Sequence, residues 1–230
     1  MLLDIDGTLV WRAAHAHAQA VVEAISEVYG PIELRQVDAA GRTDRFIARQ
    51  MLRAAGHSDA QIDAGMERLL AFAAVRYEEL CPSTLAHTVL DGIPSLLTEL
   101  AATPGVQLGL VTGNVEAIAH RKLAAAGIDG ALRPFVGAYG SDAEERDALV
   151  PIAQRRAAAL HGCAGSWPSQ RTVIVGDTPH DISCARAAGA RSIAVTTGAF
   201  GAQALTAADA IATTAGELRA ALTQLGVGAT

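Results

Sequence analysis

The chain begins with a short apolar strand pattern that finds no partner pattern until after residue 105. Residues 1–11 run from an apolar start into two carboxylates, Asp4 and Asp6, and then a Gly-Thr turn. Residues 12–85 show helical periodicity and no convincing strand. Because an isolated strand is not stable in water, the first strand must pair with strands beyond residue 105. The sequence therefore predicts an α/β core made of residues 1–11 and 86–230, with an all-helical cap domain, residues 12–85, inserted between them.

Beyond the cap, helical and strand patterns alternate, which is typical of a Rossmann-like parallel sheet with crossover helices. In the cap, helices are predicted over 12–29, 43–55 and 58–79, and Ser58 with Gln61 fits a capping box for the third. In the core, helices are predicted over 93–102, 115–126, 145–160, 180–188 and 216–225. Core strands are predicted over 106–111, Phe135-Val136, 172–175, 192–196 and 209–213.

Composition and charge exclude several classes of protein. Half of the residues are apolar and 18% are charged, which indicates a chain that folds. The formal charge of -6 argues against binding to nucleic acid, whose phosphates select basic surfaces. No apolar run reaches the roughly 20 residues that span a bilayer, and no signal peptide is visible, so we expect a cytoplasmic protein. Whether it is a monomer or a homodimer is left open.

Polar side chains follow three of the predicted strands. They are Asp4 and Asp6 after the first strand, Thr112-Gly113-Asn114 after the second, and Asp177 with Asp181 in Gly176-Asp177-Thr178-Pro179-His180-Asp181. Each group alone has an ordinary explanation, since Thr, Asn and Asp also cap helices. Together, however, the carboxylates would converge at one edge of the sheet. Acids in one place repel each other unless a cation joins them, and all-oxygen ligation favours Mg²⁺.

In this order, the three groups resemble the haloacid dehalogenase superfamily. The helical insert after the first group resembles the small helical cap of its phosphoglycolate phosphatase-like members. The resemblance implies that Asp4 is the nucleophile and that Asp6 is the general acid and base. It implies that Mg²⁺ is held by Asp4, the Asp6 backbone carbonyl, Asp177 and Asp181. It also implies that Thr112 and the amides of Gly113 and Asn114 bind the phosphoryl oxygens.

The family pattern also includes a basic residue, usually lysine, between the second and third groups. The only lysine of the chain, Lys122, lies ten residues after Thr112 and is too early for this role. Arg146, at the start of the next helix, is our candidate as a catalytic and phosphate-binding residue, with a solvated surface charge as the alternative. Arginine is competent here because its planar fork can hold two phosphoryl oxygens.

The cap offers weaker signals about the substrate. Arg42 matches a family position that faces the active site, and Trp11 lies at the hinge into the cap; both are candidate substrate contacts, with surface exposure and packing as alternatives. Thr43 is predicted to cap a helix. His15 and His17 flank the position of a cap histidine in the family's mutases, but neither falls on it. We therefore favour two ordinary polar residues on a helix.

The resemblance implies a Mg²⁺-dependent phosphatase for a small phosphorylated metabolite, with phosphoglycolate as the first candidate. A sugar-phosphate mutase of the β-phosphoglucomutase type and a non-catalytic binding module remain alternatives. A dehalogenase is disfavoured, because dehalogenases of this family lack the second acid that is present here as Asp6. A phosphonatase is excluded, because the predicted cap contains no lysine for a Schiff base.

Overall fold

A computed structural model of the protein describes residues 1–33, 35 and 37–228. The strands in this part of the chain are β1 (Leu2–Leu3), β2 (Gly109–Val111), β3 (Gly137–Ala138), β4 (Val173–Gly176), β5 (Arg191–Val195) and β6 (Ala210–Ala212). The helices are α1 (His15–Tyr29), α2 (Asp44–Ala54), α3 (Asp59–Leu80), α4 (Ile93–Ala102), α5 (Glu116–Ala126), α6 (Leu149–Leu160), α7 (Pro179–Ala187) and α8 (Ala215–Gln224). None of the described helices combines the length and the apolar character needed to cross a membrane.

All six strands form one sheet in the order β3-β2-β1-β4-β5-β6, and every pairing is parallel. β1 lies in the middle, where Leu2 pairs with Gly109 of β2 on one side and with Ile174 of β4 on the other. This confirms the predicted α/β class, and it confirms that the first strand pairs with strands after residue 105.

Helices cover both faces of the sheet, because successive strand residues point to opposite sides. Leu2 and Ile174 face a cluster that includes Leu149 and Val150 of α6 and Ala185 of α7. Leu3 and the strand residues that share its face pack against apolar residues of α4, α5 and α8, which are Leu97, Leu100, Ile118, Leu123, Leu218 and Leu222. The core is therefore a three-layer sandwich with β1 at its centre.

The three helices of the cap segment lie between β1 and β2 in the chain and pack on one another, mainly through α1 and α3. The chain leaves the core and returns to it side by side. The amide of Trp11 donates to the carbonyl of Thr88 at 2.8 Å, and the amide of Leu90 donates to the carbonyl of Leu9 at 3.0 Å. The boundaries of the cap domain at residues 12 and 85 stay a prediction.

Side-chain caps fix where several helices begin. Ser58 and Gln61 form the predicted capping box of α3, and the Thr43 hydroxyl accepts from the Phe46 amide at 3.1 Å at the start of α2. Thr178 and Asp181 form a second capping box, at the start of α7. This second box matters below, because it orients Asp181.

One predicted strand was wrong by two residues. The strand expected at Phe135-Val136 is formed instead by Gly137–Ala138, which pairs with β2. Glycine disfavours a strand by propensity, but a Cβ at position 137 would lie 2.5 Å from the Leu110 carbonyl oxygen. The close approach of β2 therefore requires a glycine at position 137, a residue that strand propensity disfavours.

Candidate active site

The predicted site residues come from the carboxyl ends of three neighbouring strands. Asp4 directly follows β1, Thr112 follows β2 and Asp177 follows β4. Because β1 lies between β2 and β4, these three positions meet at one edge of the sheet. The Asp4 amide donates to the Val175 carbonyl at 2.9 Å, which extends the β1–β4 ladder to the predicted nucleophile.

Three carboxylates cluster at this edge. Carboxylate oxygens of Asp4, Asp177 and Asp181 lie within 4.8 Å of one another, and all three residues are buried. Burial, helped by neighbouring carboxylates, raises the pKa of Asp177 to about 8. Burial also raises the pKa of Asp4 to about 6, although the Arg146 charge opposes the rise. A cation bound among these carboxylates would favour their charged forms and lower both pKa values.

The donor set fits a divalent cation. Asp177 lies between two residues without side chains, since a Cβ at Gly7 or at Gly198 would come within 2.4 Å or 1.7 Å of its Oδ2 atom. Among the residues that the structure describes, the side-chain hydrogen bond to its Oδ1 is a long one, 3.4 Å from the Thr8 hydroxyl. Asp4 and Asp177 supply the hard oxygen donors that Mg²⁺ prefers, although Asp4 Oδ1 also lies 3.2 Å from Arg146 Nη2.

Asp181 differs from the other two acids. Its Oδ2 accepts from the amide and the hydroxyl of Thr178 at 3.0 and 2.7 Å, and its Oδ1 accepts from Arg146 at 2.5 Å. Both of its oxygens are therefore engaged within the protein. The family resemblance implies that Asp181 binds the metal directly or through water and that the Asp6 carbonyl binds it directly. Both metal contacts stay predictions.

Arg146 lies in the middle of the acid cluster. It belongs to a short 3-10 turn, Arg146–Ala148, immediately before α6. Its Nη2 lies 3.2 Å from Asp4 Oδ1 and 2.5 Å from Asp181 Oδ1, and its side chain is 5% exposed. Burial opposes its charge, but the Asp181 and Asp4 carboxylates raise the pKa of Arg146 above the ordinary value. The alternative of a solvated surface charge is wrong.

Lys122, whose position in the sequence is too early for the family's basic residue, is also part of the site. Its side chain is fully buried, and its Nζ lies 2.9 and 2.7 Å from Oδ1 and Oδ2 of Asp6 and 2.7 Å from Oδ1 of Asn114. Burial alone would raise the pKa of Asp6, but the Lys122 charge and hydrogen bonds from Lys122 and Asn114 bring it below the ordinary value. Asp4 is thus paired with the Arg146 guanidinium, and Asp6 is paired with the Lys122 ammonium group.

His17 connects Lys122 to the cap. Its Nδ1 lies 3.4 Å from Lys122 Nζ, and its Nε2 lies 2.8 Å from Asp44 Oδ2. The same Asp44 oxygen accepts from the Val115 amide at 2.7 Å, just before α5. His17 and Asp44 are both buried. The expectation of two ordinary polar helix residues was therefore wrong for His17, whereas His15 is exposed.

A signal for Lys122 existed in the sequence. The buried face of α5 carries apolar residues together with this one lysine, at Ile118, Ala119, Lys122, Leu123 and Ala126. A single charged residue on the apolar face of a helix is costly unless it is paired, so it indicates a buried partner. No comparable signal marks Asp44, which reads as an ordinary acid in the first turn of α2.

The second group of site residues lies beneath the cap. Thr112 is fully buried, and its hydroxyl accepts from the Asn114 side chain at 2.8 Å; that side chain also donates to Asp6 at 2.9 Å. A Cβ at Gly113 would lie 2.0 Å from the Arg42 carbonyl oxygen, and the Gly113 carbonyl accepts from the Asp44 amide at 2.8 Å. The cap is thus closed onto this loop. The predicted phosphate-binding roles stay predictions.

The two candidate substrate contacts, Arg42 and Trp11, both border the cavity in front of the acids. Trp11 is 39% exposed, which argues against a purely packing role. The Arg42 guanidinium lies 4.6 Å from the centre of the Phe46 ring, and its Nε has no hydrogen-bond partner among the described residues. Both residues are therefore within reach of a ligand.

Solved structures similar to this chain share its whole fold. β-Phosphoglucomutase from Clostridium difficile is 17% identical, with a TM-score of 0.65 over 98% of this chain and 95% of that one. A predicted phosphatase from Clostridium acetobutylicum is 17% identical, with a TM-score of 0.67 over 97% of each chain. CbbY from Rhodobacter sphaeroides, solved in complex with phosphate, is 20% identical, with a TM-score of 0.65 over 94% of each chain.

The comparison with curated proteins returned no match. A family model, in contrast, matches residues 1–189, which include the three strand-end groups, Lys122 and Arg146. This match confirms the resemblance inferred from the sequence, and with it the expectation of an enzyme. The chain belongs to the haloacid dehalogenase-like hydrolase family.

Proposed function

We propose that the protein is a Mg²⁺-dependent phosphatase that hydrolyses a small phosphorylated metabolite through a phosphorylated Asp4. The observation that carries this proposal is the pairing of each acid of the first motif with its own buried cation. Asp4 contacts Arg146, and Asp6 contacts Lys122. A carboxylate can approach a phosphate dianion only where positive charge offsets their repulsion.

The residues divide the reaction into two steps. An oxygen of Asp4 forms a bond to phosphorus while the bond from phosphorus to the leaving oxygen breaks. Asp6 gives the leaving oxygen a proton, so this step requires the protonated form of Asp6, whose population Lys122 reduces by lowering the pKa of Asp6. Water then attacks the phosphorus of phosphorylated Asp4 and loses a proton to Asp6, which releases phosphate and restores both acids. Lys122 and Asn114 hold Asp6 in place for both transfers.

In this proposal Asp4, the Asp6 carbonyl, Asp177 and Asp181 hold the metal. Bound Mg²⁺ supplies positive charge that lets the phosphoryl group and Asp4 meet. Arg146 adds a second positive charge, and Thr112 with the amides of Gly113 and Asn114 receives phosphoryl oxygens. Arg42 and Trp11, which border the cavity, contact the rest of the substrate. The negative net charge favours a small metabolite over nucleic acid, and the proposed location is cytoplasmic.

A mutase is the second candidate, because one similar structure is a β-phosphoglucomutase. A mutase would return the phosphoryl group to a substrate hydroxyl instead of to water and would require a bisphosphate activator. A non-catalytic binding module would tolerate loss of Asp4 or Asp6. The intact acid and cation pairs favour an enzyme.

The test is phosphate release from a panel of phosphomonoesters, with MgCl₂ or with EDTA. We expect Mg²⁺-dependent release by the wild type and loss of roughly 10³-fold or more in Asp4→Asn, because the amide is not a nucleophile. Asp91→Asn, an exposed aspartate outside the site, is the matched control and should keep full activity. Acid quenching with a ³²P-labelled substrate should trap label on the wild type. Isomerisation without phosphate release would support the mutase, and no reaction across the panel would overturn the enzymatic proposal.

A further inference from the structure

The cavity in front of the acids is larger than a phosphoryl group requires. It measures about 640 Å³, and its floor contains Asp4, Asp6, Asn114, Arg146 and Asp177. Cavities of about 300–1,000 Å³ are the usual size for sites that enclose a whole small molecule. The remaining space must therefore take the organic part of the substrate.

The part of the cavity that α1 and α2 border is a hydrocarbon wall, whereas Arg12, Arg35 and Arg42 border the cavity outside these two helices. Val21 and Val22 of α1 and Ile47 and Met51 of α2 border it. Ile47 and Met51 are one helical turn apart, so their side chains lie on the same face of α2. Phe200, on the loop after β5, closes the cavity on the core side. Val22, Ile47, Met51 and Phe200 are only half-buried, so they keep surface to offer to a ligand.

The polar side chains of this wall are already engaged. Among the cavity-lining residues of α1 and α2, which the structure describes completely, only His17 and Asp44 are polar. These two hydrogen-bond to each other, and His17 also contacts Lys122 while Asp44 accepts from Val115. A sugar hydroxyl placed against α1 and α2 would lose its water and find no side-chain partner. Each hydroxyl that gives up its hydrogen bonds to water without a replacement weakens binding roughly tenfold.

We infer that the substrate carries an apolar organic group, alkyl or aromatic, that packs against the hydrocarbon wall of α1 and α2. This inference rests on the proposed function for the position of the phosphoryl group and names the chemical class of the leaving group. A polyhydroxylated sugar phosphate is a poor fit to the same wall. Phosphoglycolate, the first candidate from the family resemblance, would leave most of the cavity unfilled.

The sharpest test compares two phosphomonoesters of the same shape. Cyclohexylmethyl phosphate has a six-membered ring and an exocyclic carbon like glucose 6-phosphate, but carbon replaces the ring oxygen and the hydroxyls are absent. We expect kcat/KM for cyclohexylmethyl phosphate to exceed that for glucose 6-phosphate at least tenfold, because the wall rewards apolar contact and leaves hydroxyls unpaired. Equal values, or a preference for the sugar, would overturn the inference.

A binding measurement separates failure of this inference from failure of the proposed function. The affinity of both compounds is measured by calorimetry on Asp4→Asn, which cannot turn them over. Tighter binding of cyclohexylmethyl phosphate, without turnover of either by the wild type, would refute the phosphatase and keep the ligand class. Tighter binding of glucose 6-phosphate, or no binding of either, would refute the ligand class.

An isosteric pair of variants locates the wall. Val22→Thr places a hydroxyl on the wall without changing the size of the side chain. It should lower the ratio of kcat/KM for cyclohexylmethyl phosphate to kcat/KM for glucose 6-phosphate several-fold. Val75→Thr makes the same change on α3, where Val75 is 63% exposed and does not border the cavity, and should leave the preference unchanged. If both variants behave alike, the wall does not contact the ligand.

Discussion

The ammonium group of Lys122 lies 2.7 Å from Oδ2 and 2.9 Å from Oδ1 of Asp6, although the two residues are 116 positions apart. Lys122 is fully buried, whereas the Asp6 side chain is 33% exposed and borders the cavity. Lys122 therefore contacts Asp6 from the protein interior, and the side of Asp6 that borders the cavity stays accessible. This arrangement suits a residue that exchanges protons with a substrate and must return to the same position.

Replacing Lys122 by methionine should impair both activity and folding. The change keeps most of the length of the side chain but removes the positive charge beside Asp6, so we expect kcat to fall about 10²-fold. The free energy of unfolding should fall by about 2 kcal/mol, because Asp6 loses its buried ion-pair partner. Water that reaches Asp6 from the cavity can hydrate its carboxylate, which keeps the loss below that of a fully buried pair. Phosphate release and urea denaturation measure the two effects.

A double variant separates the pair from simple packing. Adding Asp6→Asn to Lys122→Met removes both charges and should recover part of the lost stability while the enzyme stays inactive. Arg121→Met, next to Lys122 but paired with Glu78 at the surface, should change stability by no more than about 0.5 kcal/mol. Additive losses in the double variant would contradict a direct coupling of Lys122 to Asp6.

Replacing Arg146 should slow the reaction in proportion to the charge and geometry that are lost. Arg146→Met should lower kcat/KM about 10²–10³-fold, because a buried positive charge next to Asp4 disappears. Arg146→Lys should recover part of the activity, since the charge returns without the planar fork. Arg156→Met, which removes an ion pair with Asp142 at the surface, is the matched control. Equal activities of the methionine and lysine variants would argue against an electrostatic role.

Stabilisation by Mg²⁺ should grow with pH. In the metal-free protein the pKa values of Asp4 and Asp177 are raised to about 6 and about 8. Folding is therefore favoured by these groups below pH 4, and that contribution is lost as the pH rises through 6 and 8. Mg²⁺ binds the ionised carboxylates, so its affinity should fall about tenfold for each unit below pH 8. The increase in Tm on adding MgCl₂ should be clearly larger at pH 8.5 than at pH 6.

The isosteric variant Asp177→Asn tests the origin of this pH dependence. It removes the carboxyl with the most strongly raised pKa, so the Mg²⁺-induced increase in Tm should nearly vanish at both pH values. An increase in Tm of equal size at pH 6 and pH 8.5 in the wild type would show that these carboxylates do not form the metal site.

Cap docking should depend on Asp44. Asp44→Ala leaves the buried Val115 amide and His17 without their shared acceptor, which should cost about 1–3 kcal/mol of stability. The cap would then open more often, so KM should rise and hydrogen exchange in α1 and α2 should become faster. Asp63→Ala serves as the control, because Asp63 is an exposed residue of α3 whose ion pair with Arg49 lies at the surface. Unchanged exchange in α1 and α2 would contradict the docking role.

Much of the fold was readable because it depends on local pattern. The helical insert, the strands that follow it and the acids after β1 and β4 are all expressed by neighbouring residues in the chain. The errors came from long-range contacts. The strand expected at Phe135-Val136 lies two residues later, because β2 approaches Gly137 within a distance that a Cβ would obstruct.

By itself, the sequence determined the order of elements, the inserted helices and the set of acids that parallel strands bring to one edge. Only the tertiary structure decided which cation serves which acid, because Arg146, Lys122, His17 and Asp44 lie on separate elements and each has an ordinary local explanation. Burial made the difference. A charge removed from water must find its partner in space, and that partner can lie anywhere along the chain.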